Sequence, residues 1–182
     1  KSTLINLVPR FFDATEGEVL INDLNIKEYT ENALMDKIGY VPQKGYLFTG
    51  TVRSNILYGV ENLKKSELDA RMRHAAKIAQ AEEFVTKLKD QYDAPISQGG
   101  TNISGGQRQR LAIARALAKQ PEILIFDDAF SALDMKTDKK LREDLKSEIK
   151  DTVVLIVAQR ISTIKEAEQI IVLDQGKMVR KG

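Results

Sequence analysis

The chain has 182 residues, of which 42% are hydrophobic and 30% charged, a balance typical of one soluble globular domain. Its 28 basic and 26 acidic residues give a formal charge of +2, which favours neither nucleic acid nor a membrane surface as the main partner. With no cysteine and one histidine, His74, disulfides, thiolate metal sites and histidine clusters are excluded. No apolar run approaches the roughly 20 residues of a membrane-spanning helix.

The first fifty residues combine a short Lys-Ser-Thr motif with two predicted strands. The chain opens on Lys1-Ser2-Thr3, and a Lys followed by a hydroxyl residue and an apolar helix start is how a phosphate-binding loop ends. In such a loop the Lys reaches the phosphates and the hydroxyl holds Mg²⁺, although an ordinary chain terminus can have the same letters. Residues 17–22 (GEVLIN) and Ile38–Val41 have the composition of short strands.

The middle of the chain is predicted to be mainly helical. Ala, Lys, Glu and Gln are frequent in residues 57–92, and Ser66 with Asp69 predicts a capped helix start near Ser66. No repeat, low-complexity tract or linker interrupts this region. We therefore expect one α/β core with a helical insertion rather than two separate domains.

Residues 102–110 (NISGGQRQR) carry the most informative pattern. Ser104, Gly105 and Gly106 precede a mainly apolar run at residues 111–118 and are predicted to open a helix. The amides and the positive dipole end of a helix start attract anions, the glycines let a phosphate approach the backbone, and the Ser hydroxyl adds a donor. A bare Ser-Gly-Gly would favour a plain turn before a helix, but the full string favours a phosphate site.

Three continuous apolar runs predict strands that are buried on both faces of a parallel sheet. They cover residues 123–126, 153–157 and 170–173. Asp127 and Asp128 follow the first run, at the sheet edge where open α/β folds bind ligands. The two carboxylates are therefore candidates for holding Mg²⁺ and for orienting a water molecule. A strand that simply ends in a polar turn is the alternative.

The segments between and after these runs complete the pattern. Residues 135–150 place Leu141, Leu145 and Ile149 four apart, which predicts an amphipathic helix. Strand, helix and strand in this order predict an α/β fold with right-handed crossovers. Residues 174–177 (DQGK) predict a turn into a short last strand.

Five short motifs stand in the order and spacing of one family. On these motifs the chain resembles the ATP-binding domain of ABC transporters along nearly its whole length. The resemblance implies an α/β fold, a P-loop NTPase core with a mainly parallel sheet and an inserted ABC-type helical subdomain, with the N-terminal part truncated. It implies a single domain over residues 1–182, with the core at about 1–50 and 118–182 and the helical subdomain at about 51–117. The matching positions are Lys1, Ser2 and Thr3 (end of the Walker A motif), Gln43 (Q-loop), Ser104, Gly105, Gly106 and Gln107 (signature), Asp127 (Walker B), and Ser131, Ala132, Leu133 and Asp134 (D-loop).

The same resemblance implies ATP and Mg²⁺ as cofactors and assigns roles to residues. Catalysis falls to Asp128, Gln159 and Gln43, and Mg²⁺ binding to Ser2, Gln43 and Asp127. The implied partners are a second ABC ATP-binding domain, in a homodimer or heterodimer, and a transmembrane domain upstream in the parent chain, with no nucleic acid. The chain itself is expected to be soluble and to act at the cytoplasmic face of the cell membrane, as part of a membrane protein. The residues assigned to ATP binding are Lys1, Ser2, Thr3, Ser104, Gly105, Gly106, Gln107 and Asp134.

The segment after Gln43 indicates the subtype. Residues 47–52 (LFTGTV) and the following Asn55-Ile56 look like exporters of the multidrug or lipid type, whose membrane helices are fused to the ATPase. Only about sixty residues separate Gln43 from Ser104, too few for the long coiled-coil insertion of DNA-repair relatives.

Two positions depart from the strongly hydrolytic members of the family. Those members have Glu after the Walker B Asp, where this chain has Asp128, and most have His after the next core strand, where it has Gln159. Asp is one methylene shorter than Glu, so its carboxylate is drawn back from the attacking water, and a shift of ~1 Å can cost ~10²-fold in rate. Gln cannot become cationic, so it stabilises developing charge less well.

These departures predict a degenerate site beside an intact signature. In the family, each ATP site combines the Walker motifs, Q-loop and switch residue of one domain with the signature of the other. The chain is therefore expected to be one half of a heterodimeric exporter, which binds ATP firmly, hydrolyses it slowly and completes a competent site on a different partner. The alternatives are a homodimer in which Asp128 suffices and a nucleotide-gated regulatory module without useful turnover.

Overall fold

The computed structural model describes residues 1–149 and 151–182, and it builds them around a parallel sheet. Its strands are β1 (Leu20–Ile21), β2 (Leu24–Asn25), β3 (Ile38–Val41), β4 (Gly50–Thr51), β5 (Pro95–Ile96), β6 (Ile123–Asp127), β7 (Val153–Val157), β8 (Ile171–Asp174) and β9 (Lys177–Lys181). β6 lies between β3 and β7 and runs parallel to both, which confirms the predicted parallel sheet. The other strands pair antiparallel, β1 with β2, β4 with β5, and β8 with β9.

The central strand β6 is buried along its whole length, and its side chains alternate between two clusters. Leu124 and Phe126 pack on the face that also receives Val41, whereas Ile123 and Ile125 pack on the opposite face. Successive side chains of a strand point to opposite faces, so a continuous apolar run suits a strand that is covered on both sides. The prediction for this strand is confirmed.

The strands β7 and β8 are more exposed, and the prediction of burial on both faces is wrong for them. Within the described residues β7 pairs with β6 alone, and Val153 and Val154 are 59% and 39% exposed. β8 lies outside the parallel sheet, and Ile171 is half exposed. An apolar run favours an extended backbone, but it does not reveal whether another layer covers the strand.

The first predicted strand is also shorter than expected, since only Leu20–Ile21 of residues 17–22 is extended.

The long helices begin at residues whose side chains or neighbours satisfy the first backbone amides. The helix predicted over residues 135–150 begins at Met135, as predicted, and the Asp134 side chain caps it. It ends at Glu148, and its predicted last residue, Lys150, lies outside the described residues. The helices of the described residues are α1 (Ser2–Ile5), α2 (Glu31–Lys37), α3 (Val52–Ile56), α4 (Lys65–Ile78), α5 (Glu82–Val85), α6 (Gly105–Ala118), α7 (Met135–Glu148) and α8 (Ile161–Ile164).

α4 begins at Lys65, next to the predicted start at Ser66, but its cap differs from the prediction. The Glu67 carboxylate accepts a hydrogen bond from the Lys64 backbone N–H at 3.0 Å, so the cap lies at Lys64 rather than at Ser66. Asp69 instead pairs with Arg53 of α3. The predicted cap at Ser66 is therefore wrong, because Glu67 supplies the capping carboxylate and a tertiary ion pair takes Asp69.

A large buried cluster joins α3, α4 and α6 to the sheet and to α7. Met72 of α4, Leu111 and Ile113 of α6, Phe126 of β6 and Leu141 of α7 are all fully buried in it. Removing one such side chain would leave a cavity and weaken the packing of several elements at once. Among the described residues, no helix has both the length and the apolar character to cross a lipid bilayer.

Candidate functional site

The carboxyl ends of the three parallel strands meet at one edge of the sheet, and most of the predicted catalytic residues lie there. Asp127 ends β6, while Gln43 and Gln159 each follow the end of a strand by two residues. The first turn of α1 brings Ser2 to the same edge. The parallel pairing therefore gathers residues that are more than a hundred positions apart, at the edge where open α/β sheets bind ligands.

The buried acid Asp127 is held by two hydroxyl groups. Ser2 Oγ donates to Asp127 Oδ1 at 2.7 Å, and Tyr40 Oη lies 3.2 Å from Asp127 Oδ2 and 2.9 Å from Asn6 Oδ1. Burial, followed by the negative charge of Asp127, raises the pKa of Tyr40 to about 12. Tyr40 therefore stays a neutral donor at ordinary pH. Tyr40 was not among the residues predicted from the sequence. The one available signal was strand alternation, which puts Tyr40 on the face opposite Val41.

The next acid, Asp128, is the point where two amides converge. Gln43 Nε2 and Gln159 Nε2 both donate to Asp128 Oδ2, each at 3.0 Å. The backbone of Asp128 is left-handed, with φ 49°, and its N–H donates to the Val157 carbonyl at 3.0 Å. Ser131 Oγ donates to the Asp128 carbonyl at 2.7 Å and fixes the turn that follows. Two of the residues predicted to act in catalysis, Gln43 and Gln159, thus both contact the third, Asp128.

Lys1 lies beside this cluster, and two other predicted residues do not join it. Lys1 Nζ donates to the Ala158 carbonyl at 3.2 Å, next to Gln159 in the chain. Thr3 is exposed on α1, and its side chain makes no hydrogen bond within the described residues. The Asp134 carboxylate instead caps α7, where hydrogen bonds from the Thr137 hydroxyl and backbone lower the pKa of that carboxyl.

The signature residues Ser104 to Gln107 form the head of α6. Ser104 Oγ accepts from the Gln107 N–H at 3.2 Å, and Gln107 Oε1 accepts from the Ser104 N–H at 3.0 Å, which is a capping box. A Cβ at Gly106 would lie 3.6 Å from the Ala132 carbonyl, so the head of α6 lies beside the turn of residues 131–134. Within the described residues, no hydrogen bond joins this head to Asp127 or Asp128. Its exposed amides and dipole end suit an anion.

The oxygen atoms around Asp127 fit Mg²⁺ in chemical type. The Ser2 hydroxyl and the Asp127 carboxylate are hard oxygen donors that already lie 2.7 Å apart. No group of three or more His, Asp or Glu side chains within the described residues is placed to hold an ion alone. Mg²⁺ commonly keeps several waters and takes oxygens from a substrate phosphate, so one carboxylate and one hydroxyl suffice. Gln43, also predicted as a ligand, donates through Nε2 to Asp128, and its amide oxygen, the atom that would bind Mg²⁺, takes no part in that hydrogen bond.

A parallel α/β sheet whose carboxyl edge gathers a Lys, a Ser and two acids is typical of domains that bind nucleoside triphosphates. The family model described as ABC transporter matches residues 1–131. The chain therefore belongs to the ABC transporter family.

Curated relatives and a solved structure agree with this assignment. An uncharacterized ABC transporter ATP-binding protein of Mycobacterium tuberculosis is 45% identical over 182 residues, and a Staphylococcus aureus protein provisionally named multidrug export ATP-binding/permease protein is 44% identical. A bacterial Atm1-family ABC exporter with ATP bound superposes with a TM-score of 0.91 at 39% identity over 100% of this chain, which confirms the predicted ABC-type α/β fold. All of this chain is covered in each case, but it spans only 31% of each relative's length.

Proposed function

We propose that this chain is the nucleotide-binding motor domain of an ABC exporter, which binds ATP with Mg²⁺ between two such domains and couples hydrolysis to export. The observation that carries this proposal is the convergence of Gln43 and Gln159 on Asp128, beside the Ser2–Asp127 pair, at the carboxyl edge of the sheet. Relatives named for export and a solved exporter with ATP bound support it.

In this proposal the two acids have separate tasks. Asp127 orients the Ser2 hydroxyl, and together they would hold Mg²⁺, which neutralises phosphate charge when bound. Asp128 orients the attacking water through Oδ1, since its Oδ2 accepts from Gln43 and Gln159. Lys1, Ser2 and Thr3 contact the phosphates.

We further propose that this site hydrolyses ATP slowly while the head of α6 serves a second ABC domain. The Asp128 carboxylate stands one methylene back from where a Glu would reach, and two uncharged amides surround it. Ser104, Gly105, Gly106 and Gln107 keep the full signature, with the capping box formed. One half of a heterodimeric exporter would combine these two features, slow hydrolysis at its own ATP site and an intact signature for its partner.

An exposed aromatic surface is proposed to contact the membrane part of the transporter, at the cytoplasmic face of the membrane. Tyr46, Phe48 and Tyr58 are 49%, 40% and 57% exposed, and their rings contact in sequence with centroids 5.6 and 4.6 Å apart. Arg115 lies beneath, 4.9 Å from the Phe48 ring, and donates to the Tyr46 and Asn55 carbonyls. Exposed aromatic rings held on a rigid base are typical of interaction surfaces.

The deciding experiment is the steady-state ATPase rate of the full-length protein that contains this chain, purified alone, with ATP binding measured in parallel. Binding with negligible turnover would support the degenerate half, and the next step would be to find a partner whose corresponding residue is Glu. Robust turnover would mean that Asp128 and Gln159 suffice in a homodimer. A folded protein that binds no ATP would contradict the proposal.

A further inference from the structure

The buried amide of Gln109 joins two parts of the molecule that the preceding proposals use separately. Gln109 lies on α6 and is fully buried. Its Oε1 accepts from the Gly45 N–H at 2.7 Å, and its Nε2 donates to the Pro42 carbonyl at 3.0 Å. These two backbone groups stand on either side of Gln43 and Lys44. Both ends of one amide thus hold the backbone of the segment that carries Gln43.

Close packing at Gly45 reinforces this contact. A Cβ at Gly45 would lie 3.0 Å from Gln109 Oε1, 3.1 Å from the Arg108 carbonyl and 3.1 Å from Gln109 Cα. The segment after Gln43 therefore rests directly on the backbone of α6, with no room for a side chain. Buried polar groups are costly to leave without partners, so this contact resists sliding.

The two ends of the connection reach different sites. On one side, Gln43 donates to Asp128 at 3.0 Å. On the other side, α6 runs back to Ser104 at its head, five residues before Gln109. The Arg108 guanidinium donates to the Gly99 and Gly100 carbonyls and so fixes the preceding turn to the same helix.

We propose that Gln109 is a positioning residue that fastens residues 42–45 to α6, so that a displacement of Gln43 at this chain's own site moves the signature residues with it. The inference rests on the proposed function, in which the signature serves the partner domain. Gln109 contacts neither nucleotide nor the reacting atoms in this arrangement. It transmits occupancy of one site to the geometry of the other through one rigid unit, as contiguous packing and hydrogen bonds can.

A distance measurement in the full-length protein tests the rigid unit directly. Lys44 and Thr101 are both exposed, and this chain holds no cysteine, so Lys44→Cys and Thr101→Cys introduce the only thiols of the chain for spin labels. With Gln109 in place, the distance distribution should stay the same with and without ATP. In Gln109→Met, which keeps the length of the side chain and loses both hydrogen bonds, it should broaden and shift with ATP. An unchanged distribution in Gln109→Met, or an ATP-dependent shift with Gln109 in place, would overturn the proposal.

Measurements of ATP turnover distinguish a positioning role of Gln109 from a purely stabilising one. Gln109→Met should keep the ATP affinity of this chain's own site within about twofold and lower the turnover of the assembled transporter about tenfold or more, because small displacements are costly in rate. Gln109→Glu should behave similarly, since its carboxylate still accepts from Gly45 N–H but faces the Pro42 carbonyl. The control is Ile113→Val on the same helix, which removes buried volume and keeps both hydrogen bonds of Gln109.

The control decides between the two roles of Gln109. Ile113→Val should lower Tm through lost packing alone and leave turnover and the spin-label distance unchanged. Equal losses of turnover in the two variants would make Gln109 merely structural. If the assembled protein with Gln109 in place shows no ATPase activity at all, the proposed function fails, while the distance measurement still decides the positioning role.

Discussion

Two adjacent carboxylates at the end of β6 face different neighbours. Asp127 contacts Ser2 and Tyr40, whereas Asp128 contacts Gln43 and Gln159. The left-handed backbone at Asp128, φ 49°, turns the second side chain away from the first, and Asp tolerates that conformation better than most residues.

Asp128→Glu is expected to raise ATP turnover of the full-length protein at this chain's site by about tenfold or more, because the longer side chain brings a carboxylate closer to the attacking water. The same substitution should cost about 1 kcal/mol of unfolding free energy, since Glu tolerates a left-handed backbone less well than Asp. Steady-state ATPase rates and urea unfolding measure the two effects.

Asp128→Asn is the matched control, because it keeps the shape and removes the charge. It should lose turnover and retain ATP binding. Unchanged turnover in both variants would show that Asp128 does not position the water.

Tyr40 predicts a pH dependence of stability. An unfolded Tyr loses its proton near pH 10, whereas the pKa of Tyr40 in the folded protein is about 12. Between these values the unfolded state binds fewer protons, so the free energy of unfolding falls as pH rises from about 10 to 12 and is unaffected by this group below that window. Tyr40→Phe should therefore make the alkaline fall in Tm shallower.

Asp127→Asn provides the comparison for Tyr40, because it removes the charge that helps to raise the Tyr40 pKa. It should give a slope between those of the parent and Tyr40→Phe. Identical Tm curves for all three proteins from pH 9 to 12 would contradict the assigned pKa.

At the scale of elements, the packing of β3 on α6 depends on Gly39. A Cβ there would lie 2.8 Å from the Leu124 side chain and 3.0 Å from the Ala116 carbonyl. Gly39→Ala should therefore lower the free energy of unfolding by about 1–3 kcal/mol. Urea denaturation measures this loss.

Leu124→Ala tests the stated cause of that loss. It removes the nearest clashing atoms, so the double variant should lose less stability than the sum of the two single variants. Strict additivity would mean that the Gly39 contact is not the source of the cost.

The sequence predicted the positions of the strands more reliably than it predicted their burial. The runs at residues 123–126 and 153–157 were placed correctly because β-branched and apolar residues favour an extended backbone. Burial of β7 was wrong, because burial depends on neighbouring layers that one segment does not encode. The role of Gln109 was also not predicted, since the sequence does not show whether a glutamine side chain is buried or exposed.

At the scale of the whole molecule, the predicted site residues divide into two groups. Ser2, Gln43, Asp127, Asp128 and Gln159 contact one another in pairs or threes. The head of α6 lies apart from them, beside the turn at residues 131–134. The motif order predicted both groups, but only the parallel strand order brings Gln43 and Gln159 to one oxygen atom.

Gly106→Asp is expected to separate the two groups. A carboxylate at the head of α6 would repel a phosphate, while the nearest atom to a Cβ at this position is 3.6 Å away, so the fold should tolerate the change. ATP affinity at this chain's own site should stay within about twofold, and turnover of the assembled transporter should fall by about 10²-fold or more.

Gly106→Ala, which adds the Cβ without charge, is the control and should lose much less turnover. If Gly106→Asp instead abolished ATP binding by this chain, the signature would serve its own site rather than that of a partner.

In the proposed function, the left-handed turn at Asp128 bears on how long ATP stays bound between two such domains. Asp127 and Asp128 belong to separate hydrogen-bond networks. In the proposed function, a substitution at Asp128 would therefore change the rate of hydrolysis, and with it the time for which ATP stays bound, while ATP binding itself stays unchanged. The fraction of sites that hold ATP and the time for which ATP stays bound could then change independently of each other. If the proposed function holds, a single methylene at this position would separate a fast hydrolytic cycle from one in which ATP stays bound for longer, with no change in the membrane part or the partner domain.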